Sequence, residues 1–395
     1  MAADHSPVCC HYESGETMKP LWTRDFILAF IANFFMSFSF YLLMPTLPVH
    51  LIQEMHATPS FAGVVMAAYV VAGLCMRPFS GFLIDTFPRK KFYLIIFALF
   101  TFCGILYFGA VALWIVLAVR LLHGLVWGLI IPAGATIAID IVPAERRGEG
   151  IGYYGMSMNI AMALGPLLGI LLQDHLNFTW VLSVAVGTSL LGFFVTMWIR
   201  EPFHAPHAHG VLSLDRFILR KGILGGIAML FLTISYGLLL AYASLYGKQN
   251  GIAGTGFFFV LISVGFILSR ILCSSLLDKG WTVRLALLGS FLAALSLVAL
   301  GLFPFAAVYF AVALLLGVAY GVGFPALQNW IVQRAEHHQR GTANSTYFTA
   351  FDMGVGAGLL FGGQMAQVST LANAWLVSAG CAVVSIIVLG RLRER

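Results

Sequence analysis

Hydrophobic residues occur along the chain in long runs that are separated by short polar segments. An α-helix needs about 20 such residues to cross roughly 30 Å of hydrocarbon while satisfying its own backbone hydrogen bonds. The pattern predicts twelve such helices, six on each side of a polar central segment. The predicted spans lie at about 26–48, 61–84, 92–111, 113–138, 151–172, 178–199, 222–246, 254–277, 285–303, 305–332, 342–366 and 371–390.

Composition excludes a soluble protein. Of the 395 residues, 60% are hydrophobic and 10% are charged, whereas a soluble domain has about 25% charged residues. We therefore predict an all-α membrane protein. Its segments are a polar tail (1–24), a first six-helix bundle (25–199), a linker (200–221), a second six-helix bundle (222–390) and a short tail (391–395).

The two predicted bundles repeat one another at a constant offset. Arg77 and Arg270 differ by 270 − 77 = 193 positions. The same offset relates further matched pairs: Asp85 and Asp278, Gly124 and Gly317, Gly128 and Gly321, Pro132 and Pro325, Arg147 and Arg340, and Gly165 and Gly358. Internal duplication in an apolar chain is typical of transporters and predicts two pseudo-symmetric bundles.

The 22 Lys and Arg residues lie almost entirely on one set of loops. Positive charge near span ends stays on the cytoplasmic side. The opposite loops carry Lys248 alone, so both termini are predicted to be cytoplasmic in a cell membrane. The net charge of +6 reflects this topology, and no basic face suited to nucleic acid is present.

The short connecting loops leave no room for a soluble catalytic domain. No phosphate-binding Gly-Lys-Ser/Thr motif occurs, so direct use of ATP is not expected. The short loops also predict a protein that is not an enzyme. Prolines interrupt the histidines at 204, 207 and 209, so we interpret this segment as a solvated linker rather than a metal site. The six cysteines are expected to be free thiols, and the first apolar run is long enough to be a span rather than a cleaved signal.

A charged motif follows the second span and carries a family resemblance. It includes Gly81, Leu83, Asp85, Arg89 and Lys90. These residues resemble the Gly-x-Leu-x-Asp-Arg-x-Gly-Arg-Lys/Arg signature of the major facilitator superfamily, with Thr86 and Pro88 as departures. The resemblance implies a cytoplasmic gate in which this Asp contacts the start of span 11. The candidate gate residues are Arg77, Gly81, Asp85, Arg89, Lys90, Arg146, Arg147, Arg270 and Asp278; the alternative is that these charges only set the topology.

Span 4 contains Arg120, followed three residues later by His123. This segment is similar to the Arg-x-x-x-Gly signature of the same superfamily. A charge inside a span is costly, so Arg120 is a functional candidate by default. The alternative for Arg120 is a bond to backbone carbonyls that braces the bundle, and for His123 it is a packing role.

Span 5 has a glycine-rich pattern. Gly152, Gly165, Pro166 and Gly169 match an antiporter signature that marks exporters in the family, while Ala161 and Ile170 replace glycines. Proline frees a backbone carbonyl and glycines permit close, bendable contacts. The resemblance therefore favours a rocking helix and export over import.

Span 11 contains Asp352, about twelve residues beyond Arg340 and thus close to the middle of the membrane. A carboxylate at that depth is expected to bind and release a proton as access alternates, and the alternative is a structural acid paired with Arg120 or with the hydroxyl of Thr346 or Thr349. Further polar residues are predicted to line a substrate cavity: Asn33, Tyr41, Asn159, Tyr236, Tyr242, Gln328 and Asn329.

The sequence thus predicts a proton-coupled exporter of a small apolar or amphiphilic solute in the lipid bilayer, with no cofactor and no metal. The family resemblance implies a monomer. The proton-coupling candidates are Asp352, Arg120 and His123. One alternative is an importer of a sugar, nutrient or organic anion, in which Arg120 binds a carboxylate or phosphate. Another is a receptor or assembly factor without transport, and an intramembrane hydrolase ranks below both because no catalytic arrangement spans neighbouring helices.

Overall fold

The computed structural model describes residues 20–143, 146–200, 219–336 and 340–392. Most of the polar tail and of the linker predicted at 200–221 lies outside these ranges. In the described part of the chain twelve α-helices follow one another without strands. They are α1 (Arg24–Gln53), α2 (Pro59–Thr86), α3 (Arg89–Leu106), α4 (Leu113–Ile141), α5 (Arg147–His175), α6 (Phe178–Met197), α7 (Ile223–Gln249), α8 (Phe257–Asp278), α9 (Thr282–Leu302), α10 (Ala306–Gln333), α11 (Arg340–Val368) and α12 (Leu371–Leu389).

Ten of these helices are long and apolar enough to cross a membrane, judged on the described residues. The other two are α8, whose segment Phe257–Ser269 counts as a shorter apolar helix, and α11. Helix α11 is rich in glycine and hydroxyl residues, which lowers its hydropathy below that of its neighbours. The prediction of an all-helical membrane protein with many spans is confirmed.

Helix boundaries follow local capping chemistry more closely than they follow the apolar runs. Helix α2 begins after Thr58, whose hydroxyl accepts a hydrogen bond from the backbone N–H of Phe61 at 3.2 Å, and Pro59 fills the first turn. Helix α8 starts at Phe257, three residues later than predicted. Gly251 and Gly254 precede it with φ of +69° and +67°, a left-handed backbone that glycine adopts without steric cost.

The helices pack in the same order in each half of the chain. In the first half α1 contacts α5 and α6, α2 contacts α4, and α3 contacts α4 and α6. In the second half α7 contacts α11 and α12, α8 contacts α10, and α9 contacts α10 and α12. Contacts between the halves join α2 to α11, α5 to α8 and α1 to α7.

Glycines bring equivalent helices into backbone contact at equivalent positions. A methyl group on Gly165 would lie 2.8 Å from the Cβ of Tyr41, and one on Gly358 would strike the carbonyl oxygen of Ile234. Both members of the second pair lie 193 positions after the first (358 − 165 and 234 − 41). The sequence repeat therefore corresponds to a repeat of close helix contacts, which small residues permit in lipid.

Candidate functional site

An ion pair joins the two halves inside the helical region. The Nη2 of Arg77 on α2 contacts the Oδ2 of Asp352 on α11. The two side chains are 25% and 23% exposed, and the guanidinium carbon of Arg77 lies 5.6 Å from the centre of the Phe348 ring. Arg77 therefore lies well within the helices, and the partner of Asp352 is Arg77 rather than Arg120, Thr346 or Thr349.

The depth of this pair follows from helix geometry. Asp352 is twelve residues after Arg340, where α11 begins, and Arg77 is nine residues before Thr86, where α2 ends. At 1.5 Å per residue these separations are about 18 Å and about 14 Å along the helix axes. Two opposite charges at that depth can remain ionised because each compensates the other.

Arg120 occupies a different environment, fully buried between α1, α2 and α4. Its Nη2 contacts the sulfur atoms of Met44 at 3.4 Å and Met66 at 3.8 Å. Its guanidinium carbon lies 4.5 Å from the centre of the Tyr69 ring and 6.0 Å from that of Phe40. Its Nε and Nη1 atoms have no hydrogen-bond acceptor, and Arg120 takes part in none of the ion pairs found among the described residues.

His123 lies one helical turn after Arg120 and is also buried. Its Nδ1 is 3.5 Å from the hydroxyl of Tyr107, and its ring centre is 4.5 Å from that of Phe100 and 5.7 Å from that of Tyr69. Its Nε2 and the hydroxyl of Tyr69 have no partner. We call Arg120, His123, Tyr69, Met44 and Met66 the Arg120 cluster.

Aromatic residues of the second half form a second cluster. Tyr236 meets Tyr320 and Phe324 edge to face, with ring centres 5.3 Å and 5.4 Å apart. Phe351, the residue before Asp352, lies 5.8 Å from Tyr236. The hydroxyl of Tyr236 donates to the sulfur of Met162 on α5 at 2.7 Å. Tyr236 therefore lies at the boundary between the halves.

The other predicted cavity residues differ in what they contact. Asn33 donates to Ser157 Oγ at 2.7 Å, and Tyr242 donates to the carbonyl of Leu359 at 3.2 Å. Gln328 donates to Asn344 at 3.2 Å and Asn329 to Thr282 at 3.4 Å. These four bonds join neighbouring helices within one half.

Tyr41 and Asn159 contrast with those four residues. Tyr41 is buried on α1, where it packs against Gly165 of α5. Asn159 is exposed on α5. Neither residue forms one of these side-chain bonds between helices, and their role in a substrate cavity stays a prediction.

The predicted gate residues differ in the contacts that they make. Arg89 forms an ion pair with Asp140 at 2.6 Å, and Lys90 donates to the carbonyl of Met197 at 2.9 Å. Arg146 caps the start of α5 and Gly81 is exposed on α2. The side chains of Asp85, Arg147, Gly152, Arg270 and Asp278 lie outside the described part of the structure.

Glycines of the span 5 motif contact α1. A methyl group on Gly169 would lie 2.6 Å from the carbonyl oxygen of Leu42, and Gly165 contacts Tyr41 in the same way. Pro166 lies between them, inside the helix. The motif thus provides close packing of α5 on α1.

Two contacts at the opposite ends of the helices were not predicted. The backbone N–H of Ser60 donates to Gln367 Oε1 at 3.2 Å, and Lys248 forms an ion pair with Asp174. Each contact joins the first half to the second. Lys248 was noted as the lone positive charge of its loops, and that rarity was the signal of a role.

Comparison with known proteins agrees with this fold. The helices, the buried charges and the contacts between halves define a multi-pass membrane transporter rather than an enzyme. The model of the Major Facilitator Superfamily matches residues 29–359 and 284–395, and the chain belongs to that family.

The chain is similar to several transporters. It is 30% identical to Multidrug resistance protein 3 of Bacillus subtilis strain 168 over 190 residues, which are 47% of this chain and 36% of that protein. It is 23% identical to the Staphylopine export protein of Staphylococcus aureus strain Mu50 over 358 residues, covering 87% and 89% of the two chains. The solved structure of the nucleoside transporter NupG matches with a TM-score of 0.77 at 13% identity, covering 94% of this chain and all of that one, and shows the fold alone.

Proposed function

We propose that this protein exports a small amphiphilic organic solute in exchange for protons by alternating access. The observation that carries the proposal is the ion pair between Arg77 and Asp352, which joins α2 to α11 across the two halves. It would make the contact between the halves depend on the charge of one carboxylate. The proposed moving units are the pseudo-symmetric bundles 25–199 and 222–390.

Orientation is part of this proposal. With positive loops on the cytoplasmic side, the ends that carry Ser60, Gln367, Lys248 and Asp174 face outward. The contacts at these ends close the outer side. Helices α2 and α11 also approach closely at Gly63, where an added methyl group would lie only 3.0 Å from the Cα of Gly363. The described conformation is therefore proposed to be closed outward, and both termini to be cytoplasmic.

The ion pair provides a mechanism of coupling. When Asp352 accepts a proton, it loses its charge and its attraction to Arg77, and the contact between α2 and α11 weakens. Phe351, the residue before Asp352, contacts Tyr236 of the aromatic cluster in the second half. The names of two relatives, a multidrug resistance protein and an export protein, favour export over the importer alternative.

Proton flux in proteoliposomes tests the proposal. A pH-sensitive dye is enclosed, a pH gradient is imposed, and lipophilic cations, dyes, aromatic acids and sugars are added in turn. Wild-type protein is expected to show solute-triggered proton movement that Asp352→Asn abolishes. Asp25→Asn is the matched control, since Asp25 is an acid at the helix start that accepts from the Arg200 N–H at 2.9 Å.

The possible outcomes separate the functions considered. Equal flux in wild type and Asp352→Asn would remove Asp352 from coupling. Movement of the solute in the same direction as the protons would indicate proton-coupled import. No solute-dependent proton movement under either gradient would favour the receptor alternative.

A further inference from the structure

We propose that the Arg120 cluster binds the carboxylate of the transported solute, which makes that solute an amphiphilic organic anion with an aromatic body. This inference rests on the proposed transport function and names its substrate class. It starts from the charges inside the helices, because Arg77 and Asp352 neutralise each other whereas Arg120 remains uncompensated by the described residues.

An uncompensated charge needs an explanation at this position. Removing an ion from water costs several kcal/mol unless a partner is supplied. Nη2 of Arg120 contacts two thioether sulfurs, and the hydroxyl of Tyr107 also interacts with the guanidinium. None of these groups carries a negative charge. Backbone carbonyls would brace a structural arginine, but none is hydrogen-bonded to this guanidinium in the described structure.

Unpaired polar atoms occur on three neighbouring residues of the Arg120 cluster. Arg120 Nε and Nη1, His123 Nε2 and the Tyr69 hydroxyl are all buried without partners. Tyr69 contacts both other residues, since its ring lies 4.5 Å from the Arg120 guanidinium carbon and 5.7 Å from the His123 ring centre. A carboxylate has two oxygens that accept such donors, and arginine binds it with two parallel hydrogen bonds.

The neighbouring side chains suit an aromatic body. Phe40 and Trp127 stack with ring centres 4.1 Å apart, and Phe40 stacks on Tyr69 at 5.0 Å. Met44 and Met66 add flexible, polarisable groups that adapt to different shapes. Ligand pockets commonly combine such apolar walls with a few polar groups that fix orientation.

The internal repeat shows that the fold does not require this charge. The residues 193 positions after Arg120, His123, Tyr69 and Met66 are Ala313, Leu316, Ile262 and Phe259. All four are buried apolar residues. The same scaffold is thus packed without a charge in the second half, so the charge in the first half serves something other than packing.

Binding measured in phosphatidylcholine nanodiscs, which hold no anionic lipid headgroup, tests this site. The probes are 1-naphthoate, its neutral isostere 1-naphthamide and the cation 1-naphthylmethylammonium. Binding of each probe is measured by the quenching of tryptophan fluorescence. Wild type is expected to bind 1-naphthoate at least about tenfold more tightly than the other two, and Arg120→Met to weaken 1-naphthoate binding by about 10- to 100-fold. Arg284→Met, which removes an arginine lying 5.1 Å from the Trp281 ring, is the matched control and should bind normally.

Thermal unfolding without probe separates a ligand site from a structural brace. Replacing an uncompensated buried charge with an apolar side chain of similar size is neutral or stabilising, so Arg120→Met should unfold at the same or a higher temperature than wild type. A large fall in unfolding temperature, or equal binding of all three probes, would overturn the proposal. Asp352-dependent transport of neutral or cationic solutes with no 1-naphthoate binding would reject this site while leaving the proposed proton-coupled export standing.

Discussion

Arg77 and Asp352 lie 352 − 77 = 275 positions apart in the chain and form an ion pair between α2 and α11. Subtracting the repeat offset from Asp352 gives Asn159, and adding it to Arg77 gives Arg270. The related interface between α5 and α8 therefore has an arginine and an amide in its sequence where this one has an arginine and an acid. Of these two interfaces, we propose that only the one between α2 and α11 responds to protons.

Removing one member of this pair should cost more than removing both. Arg77→Gln leaves Asp352 without its cation, and Asp352→Asn leaves Arg77 without its anion, whereas the double variant leaves no unpaired charge. We expect a coupling of about 1–3 kcal/mol in the double-mutant cycle. Thermal unfolding in detergent measures it, and additive effects of the two substitutions would show that the pair is not energetically coupled.

Filling a glycine contact between α7 and α11 should destabilise the second bundle. A methyl group in Gly358→Ala strikes the carbonyl oxygen of Ile234, and forced overpacking costs about 1–3 kcal/mol. Gly380→Ala is the matched control, because a methyl group there meets nothing within 4 Å and alanine favours a helix. We expect opposite shifts in the unfolding temperature, and a fall of equal size in both variants would contradict the proposed cause.

A bulky residue at Gly363 should hold the outer helix ends apart. A methyl group on Gly363 would already lie 2.7 Å from the Cα of Gly63, so Gly363→Leu cannot adopt the observed contact. The reporter is Ala62→Cys, buried beside Gly63, in a protein whose six native cysteines are replaced. A membrane-impermeant maleimide added from outside should label Gly363→Leu faster than Gly380→Leu, and identical rates would argue against an outer closure at this point.

Two asparagines predicted to line the cavity should behave differently on truncation. Asn33 is buried and bonded to Ser157, so Asn33→Ala should lower stability by about 1–2 kcal/mol with little change in apparent solute affinity. Asn159 is exposed on α5, so Asn159→Ala should alter transport with little effect on unfolding. Unfolding temperature and transport measured on both variants would refute this assignment if the effects were reversed.

The fold could be predicted from the sequence to a large extent, because each span requires a continuous apolar run. The observed helix ends differ from the predicted ones by a few residues. A hydropathy pattern does not contain the capping by Thr58 or the left-handed backbone of Gly251 and Gly254 that set these ends. The repeat was also readable, because close helix contacts demand glycine at fixed positions such as Gly165 and Gly358.

The site was less predictable, since pairing across helices depends on their rotation and tilt. The sequence predicts Asp352 as an intramembrane acid whose structural partner would be Arg120, Thr346 or Thr349, and it places Arg77 in the gate motif. Arg77 lies seven residues before the end of the span predicted at 61–84, and that depth could have suggested the pair. The uncompensated state of Arg120 was not accessible, because a sequence does not show which acceptors a guanidinium fails to reach.

Ala313 lies in the second bundle where Arg120 lies in the first, and this difference bears on how cargo preference evolves. The chain contains two copies of one scaffold, and one exchange between a small apolar residue and an arginine changes the charge of a single copy. Relatives with the same helices can therefore diverge in the solutes that they carry without first acquiring a new fold.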